Sequence, residues 1–107
     1  MIFAIASQGS AVSAMVDVNF GRCPFFCIYD TEKEVTSFIE NKYAEQQNTA
    51  GVDAVEMLKH HNVKTVVAGQ YGIKAMNSLR SSGIQMVVIK SEASVNEIIQ
   101  RIKNKKQ

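Results

Sequence analysis

Apolar and polar positions along this chain change rhythm in blocks, and each rhythm predicts an element. Ile2 to Ala6 is a short unbroken apolar run, the pattern of a strand covered on both faces. Phe25-Phe26-Cys27-Ile28-Tyr29-Asp30 predicts a second strand and Glu34 to Glu40 a third. Only Thr31-Glu32-Lys33 lies between them, so the two should form a hairpin. Val52, Val55 and Leu58 then recur every three residues, predicting a helix from Gly51 to His61 that Asn62 ends in a left-handed conformation. Thr65-Val66-Val67-Ala68 is a β-branched strand. Ile73, Met76 and Leu79 share one side of a second helix, which Gly83 ends before a fifth strand, Ile84 to Ile89. Ser94 and Glu97 have the spacing of a capping box, and Val95, Ile98, Ile99 and Ile102 give the third helix an apolar face. Its basic end, Lys103-Asn104-Lys105-Lys106, suits a helix C-terminus running into a frayed tail.

This order predicts an α/β fold, a mixed five-stranded sheet flanked by about three helices. The hairpin makes strand two antiparallel to strand one. The crossover helices then make strands four and five parallel to strand one. Four connections then share one sheet edge: Ser7–Pro24, Asn41–Ala50, Gly69–Gly72 and Lys90–Ala93. Ligands of open α/β sheets bind beyond the carboxyl ends of the strands, which places a candidate site there. Ser7 to Pro24 has no helical period and is rich in small residues, so it is expected to be the most mobile internal segment without ligand.

Length and composition narrow the class. At 107 residues the chain fits one domain, 46% hydrophobic and 21% charged, which excludes a disordered protein. A net charge of +2, with no aromatics interleaved among the basic residues, argues against a nucleic-acid partner. The apolar runs are too short to span a membrane, and the first residues lack the basic start of a signal peptide. With two cysteines and no export signal, the expected compartment is a reducing cytoplasm.

Few residues carry candidate chemistry. Gly69-Gln70-Tyr71-Gly72 joins a strand to a helix, where free amides and the helix dipole can hold an anion; a tight turn is the plainer alternative. Cys23 and Cys27 do not form a pair, since an extended chain puts their Cα atoms about 13 Å apart and a disulfide needs about 7 Å or less. Cys27, mid-strand, is expected to be a small buried hydrophobe. Cys23 lies in the loop beside Arg22, whose charge would favour a thiolate, the ligand of iron–sulfur clusters; loop packing is the alternative. His60 and His61 are neighbours about 100° apart on a helix, which suits a solvated helix end better than a shared metal. No spacing brings the carboxylates Asp17, Asp30, Glu40 and Asp53 together.

Several segments together resemble the dinitrogenase iron–molybdenum cofactor family of small NifX-like proteins. Val18-Asn19-Phe20-Gly21-Arg22-Cys23-Pro24-Phe25 looks like the family's F-G-R-x-x-x-F pattern, running into an apolar strand that ends at Asp30. Gly69, Gly72 and Ala75, then Leu79 and Gly83-Ile84, resemble its second helix and the start of its last strand. The likeness covers nearly the whole chain, as a single domain of residues 1–107. It implies a ribonuclease-H-like fold and a non-catalytic carrier of an anionic iron–sulfur or iron–molybdenum-type cluster, bound transiently and exchanged with donor or acceptor proteins. Carried over by position, it implies cofactor contacts at Phe20, Gly21, Arg22, Cys23, Gly69 and Gly72, with Cys23 as the metal ligand. A stretch that is His-Gly-rich in many relatives is Asn48-Thr49-Ala50-Gly51 here, and a common Gly is Gln70. Two other functions compete: a metal-free scaffold binding a small anion or a protein at the same edge, and a ribonuclease-H-type hydrolase, which rests on fold analogy alone.

Overall fold

The structure, a computed structural model, describes residues 1–105; Lys106, within the predicted basic end, lies outside the described residues. The elements follow the expected order: β1 (Ile2–Ser7), β2 (Phe25–Asp30), β3 (Val35–Glu40), α1 (Ala50–His60), β4 (Thr65–Ala68), α2 (Ile73–Ser81), β5 (Gln85–Val88) and α3 (Val95–Asn104). They form one mixed sheet in the order β3-β2-β1-β4-β5, a ribonuclease-H-like arrangement. β2 runs antiparallel to both β1 and β3, while β1, β4 and β5 are parallel.

Strand periodicity sorts the core into two layers. Ala4, Ala6, Phe26, Ile28, Val66 and Ala68 face one way and pack on Ala54, Val55 and Leu58 of α1 and Ala75 and Leu79 of α2. Ile5, Cys27, Tyr29 and Val67 face the other way and pack on Val95, Ile98 and Ile99 of α3. The first layer is therefore covered by two helices and the second by one.

Local chemistry explains where the elements stop. Glu34 belongs to the hairpin turn and not to β3, because its φ is +53°. The Asp30 carboxylate accepts the Glu32 and Lys33 amides at 2.9 and 3.2 Å, which closes the turn and holds its pKa below the ordinary value. Ile84 is not yet strand. Its N–H donates to Leu79 O at 2.9 Å while Gly83, at φ +70°, donates to Arg80 O at 3.1 Å, the Schellman ending of a helix. Asn62, at φ +60°, ends α1 in the same way, with Val63 N–H donating to Leu58 O. The capping box of α3 is made in full: Ser94 Oγ accepts the Glu97 amide, and Glu97 Oε1 accepts the Ser94 amide.

Residues 8–24 differ from the expected loose loop. Their backbone is stitched to β1 at Ser7 and Val16, to residue 94 at Met15, and to the β4–α2 turn at Asn19 and Gln70. Val16, Phe20 and Cys23 are buried. The small residues that suggested mobility let this segment lie close to the sheet edge instead.

Candidate functional site

The parallel strands and the antiparallel hairpin bring the four predicted connections to one edge, and a cavity of about 460 Å³ opens there between the starts of α1 and α2. Three small residues set how closely its walls approach. A Cβ on Gly21 would lie 2.8 Å from Gly51 Cα, and a Cβ on Gly51 would lie 2.8 Å from Ala75 Cβ. The loop, the first turn of α1 and the first turn of α2 thus stack without side chains between them. Gly69 serves the same purpose on the other side, where a Cβ would meet Val18 Cα at 2.9 Å. Neither Gly69 nor Gly72 has positive φ. Gly69 permits close approach rather than relieving strain, and a side chain at Gly72 would meet open space.

Both helices present bare ends to this cavity. The N-cap residues Thr49 and Gly72 make no side-chain cap. The first helical hydrogen bonds come from Asp53 and Met76, so the amides of residues 50–52 and 73–75 receive no partner within their helices. Two positive dipole ends therefore converge on one cavity, with Lys74 and Arg22 on its wall.

Of the sequence-predicted residues, Phe20, Gly21, Arg22 and Gly72 line the cavity, Gly69 supports it, and Cys23 lies behind it. Phe20 is buried and its ring packs at a tilt against those of Phe26 and Tyr71, with centroids 5.4 and 5.3 Å away. Arg22 does not activate Cys23. Its guanidinium donates to the carbonyls of Ala44 and Gln47, each at 3.0 Å, and also to Gln46 O. Cys23 is fully buried and donates its Sγ–H to Phe20 O at 3.1 Å. Burial, then the negative charge of Asp17, push its pKa up to about 12. The expected thiolate is thus replaced by a packed thiol, because adjacency in sequence does not place the guanidinium beside the sulfur. Cys27 is also buried, within the opposite layer, and no disulfide links the two.

Three contributors escaped the sequence reading. Asn41 is buried, and its Nδ2 donates to Gly21 O at 3.1 Å and Cys23 O at 2.8 Å while its Oδ1 accepts the Tyr43 amide. A polar residue directly after a strand was its only signal. Tyr71 donates its hydroxyl to Val87 O at 2.7 Å and Val66 O at 3.2 Å, fixing its ring against Phe20. Gly51 stood in the sequence only as the start of the predicted helix, and the packing reveals its use. Among the described residues no group of three or more His, Cys, Asp or Glu side chains could hold a metal ion, and no helix is long and apolar enough to cross a membrane.

A five-stranded ribonuclease-H-like domain with a loop-walled, amide-lined cavity at its sheet edge is the class this geometry defines. The chain belongs to the dinitrogenase iron–molybdenum cofactor family, whose model matches residues 1–105. The apo form of the orange protein from Desulfovibrio gigas has the same fold, with a TM-score of 0.90 at 23% identity, covering 97% of this chain and 88% of that one. A Thermotoga protein of the DUF35 family, described as a candidate NifB protein, is 30% identical with a TM-score of 0.84, covering 96% of this chain and 87% of its own. No curated protein matches this chain.

Proposed function

We propose that this protein is a small cytoplasmic carrier that holds an anionic iron–sulfur or molybdenum–sulfur cluster, or its precursor, as transient cargo between donor and acceptor proteins. The observation that carries this reading is the convergence of two uncapped helix N-termini on one cavity. Amides and dipole ends stabilise negative charge without a covalent ligand, which suits cargo that must be released. Membership of the cofactor family and the likeness to the candidate NifB protein support the choice of cargo. Lys74 and Arg22 would offset charge at the cavity wall. Cys23 would shape the cavity through Phe20, because its thiol is withheld from solvent.

The lack of a ligating side-chain group among the described residues favours one second reading, a metal-free site for a small inorganic anion. Anaerobic titration with tetrathiomolybdate, and separately with phosphate, distinguishes the two. The carrier reading expects a stoichiometric visible chromophore that survives gel filtration and weakens in Lys74→Glu. Binding of phosphate alone would replace it with the second reading. Binding of neither would remove both.

A further inference from the structure

A second and larger cavity, about 830 Å³, lies on the opposite side of the sheet and shares no lining residue with the amide-lined cavity. It exists because α3 alone covers that face and leaves β5 bare. Its floor is Phe3, Val67 and Val87, and its wall is Ile98 and Ile102 of α3. Val67 and Ile98 are nearly closed to water, but Val87 is 38% exposed and the neighbouring Val88 53%. Exposed valines on an edge strand carry a hydration cost and an association hazard that folds ordinarily suppress. The charged side chains lining the groove are all cationic: Lys90 beyond β5, Arg101 on α3 and Lys105 at its C-cap. None of these three forms a salt bridge among the described residues. Part of that charge answers the carbonyl end of α3, and Arg101 also acts on Glu97 one turn back. Lys90 has no such helix end to serve.

We propose that this groove is a binding site for a small amphipathic anion: an apolar body laid between α3 and β4–β5, with its carboxylate on Arg101. The volume lies in the range of small-molecule sites, and guanidinium is the side chain suited to two-point contact with a carboxylate. A second copy of this chain fits less well, because two copies would bring the same cations face to face. The site stands apart from the edge cavity and does not depend on what that cavity holds.

Decanoate and decyltrimethylammonium, which share an apolar chain and differ in charge, are the probes. Calorimetric titration of the wild type should show saturable binding of decanoate alone, with methyl shifts at Val67, Val87, Ile98 and Ile102 in heteronuclear NMR. Val87→Glu should abolish binding. Arg101→Gln should weaken it about tenfold or more, the size of one lost charge-assisted hydrogen bond, and Lys90→Gln less. Unchanged melting temperatures would establish that the variants remain folded. Equal binding of both probes would reduce the groove to a greasy surface and overturn the proposal. So would shifts confined to the edge cavity, no decanoate binding at all, or a concentration-dependent dimer that hides Val87. A larger loss in Lys90→Gln than in Arg101→Gln would overturn the placement of the carboxylate.

Discussion

The two faces of the sheet differ in what covers them. Two helices close the first face so completely that its opening is displaced to the edge, between helix starts, where the lining is backbone amide. One helix covers the second face, and the opening stays over the strands, where the lining is side-chain hydrocarbon. Polar and apolar cavities thus arise in a single sheet from the number of helices on each side. The closed face relies on tight packing, and the open face tolerates loss of contact.

The largest expected effect tests that contrast directly. Leu58→Ala on the two-helix face removes a fully buried side chain and should cost ~2–5 kcal/mol. Ile102→Ala, half-buried beside the groove, should cost roughly 1 kcal/mol, because solvent already reaches the site. Urea denaturation of both variants gives the comparison, and equal losses would remove the distinction between the faces.

Next is the stack beneath the edge cavity. Gly21→Ala puts a Cβ against the Gly51 backbone, which cannot turn aside, so ~1–3 kcal/mol should be lost together with tetrathiomolybdate uptake. Gly72→Ala points into open space and should change stability by less than about 0.5 kcal/mol. A cost at Gly72 matching that at Gly21 would mean that the glycines serve conformation rather than contact.

Cys23 offers a sharper division. Cys23→Ala loses buried packing and its bond to Phe20, at a cost of ~1–3 kcal/mol, and the folded fraction should still take up tetrathiomolybdate. Complete loss of uptake in a folded variant would restore the thiol as a ligand. The pH dependence follows from the same burial. The ordinary thiol value is 9.0, and burial raises both Cys23 and Cys27 to about 12. Between those values the folded state keeps protons that the unfolded state has lost, so the two thiols stabilise the fold fully below pH 9 and progressively less above it. Melting temperature should therefore fall more steeply above pH 9 in the wild type than in the Cys23→Ala/Cys27→Ala double variant.

The smallest effect concerns Arg22. Arg22→Ala frees three exposed carbonyl contacts on the loop before α1 and should cost about 1 kcal/mol or less. Amide exchange at residues 45–48 should quicken while that of Leu58 stays unchanged.

Much of the fold was legible because its signals are local and periodic. The hairpin, the crossovers, the turn at Asn62 and the capping box of α3 each need only neighbouring residues. The edge was legible for the same reason, since strand direction decides which connections meet. The chemistry within it was less so. Arg22 and Cys23 are adjacent in sequence, yet one side chain turns to the carbonyls of residues 44–47 and the other turns into the core. Asn41 and Tyr71 act through partners distant along the chain, which no periodicity announces. The looseness expected of residues 8–24 came from composition, which carries no account of the bridges to residues 70 and 94.

Gly51 has a consequence for anyone seeking a hardier version of this protein. Glycine inside a helix is an obvious target for replacement, and alanine there would raise helix propensity by about 1 kcal/mol in isolation. Here the added methyl would sit 2.8 Å from the methyl of Ala75 and push the two helix starts apart. That clash, of the same kind as the one at Gly21, outweighs the gain in propensity, so a redesign that scores each helix by itself would expect a hardier protein and obtain a weaker one with a distorted cavity mouth.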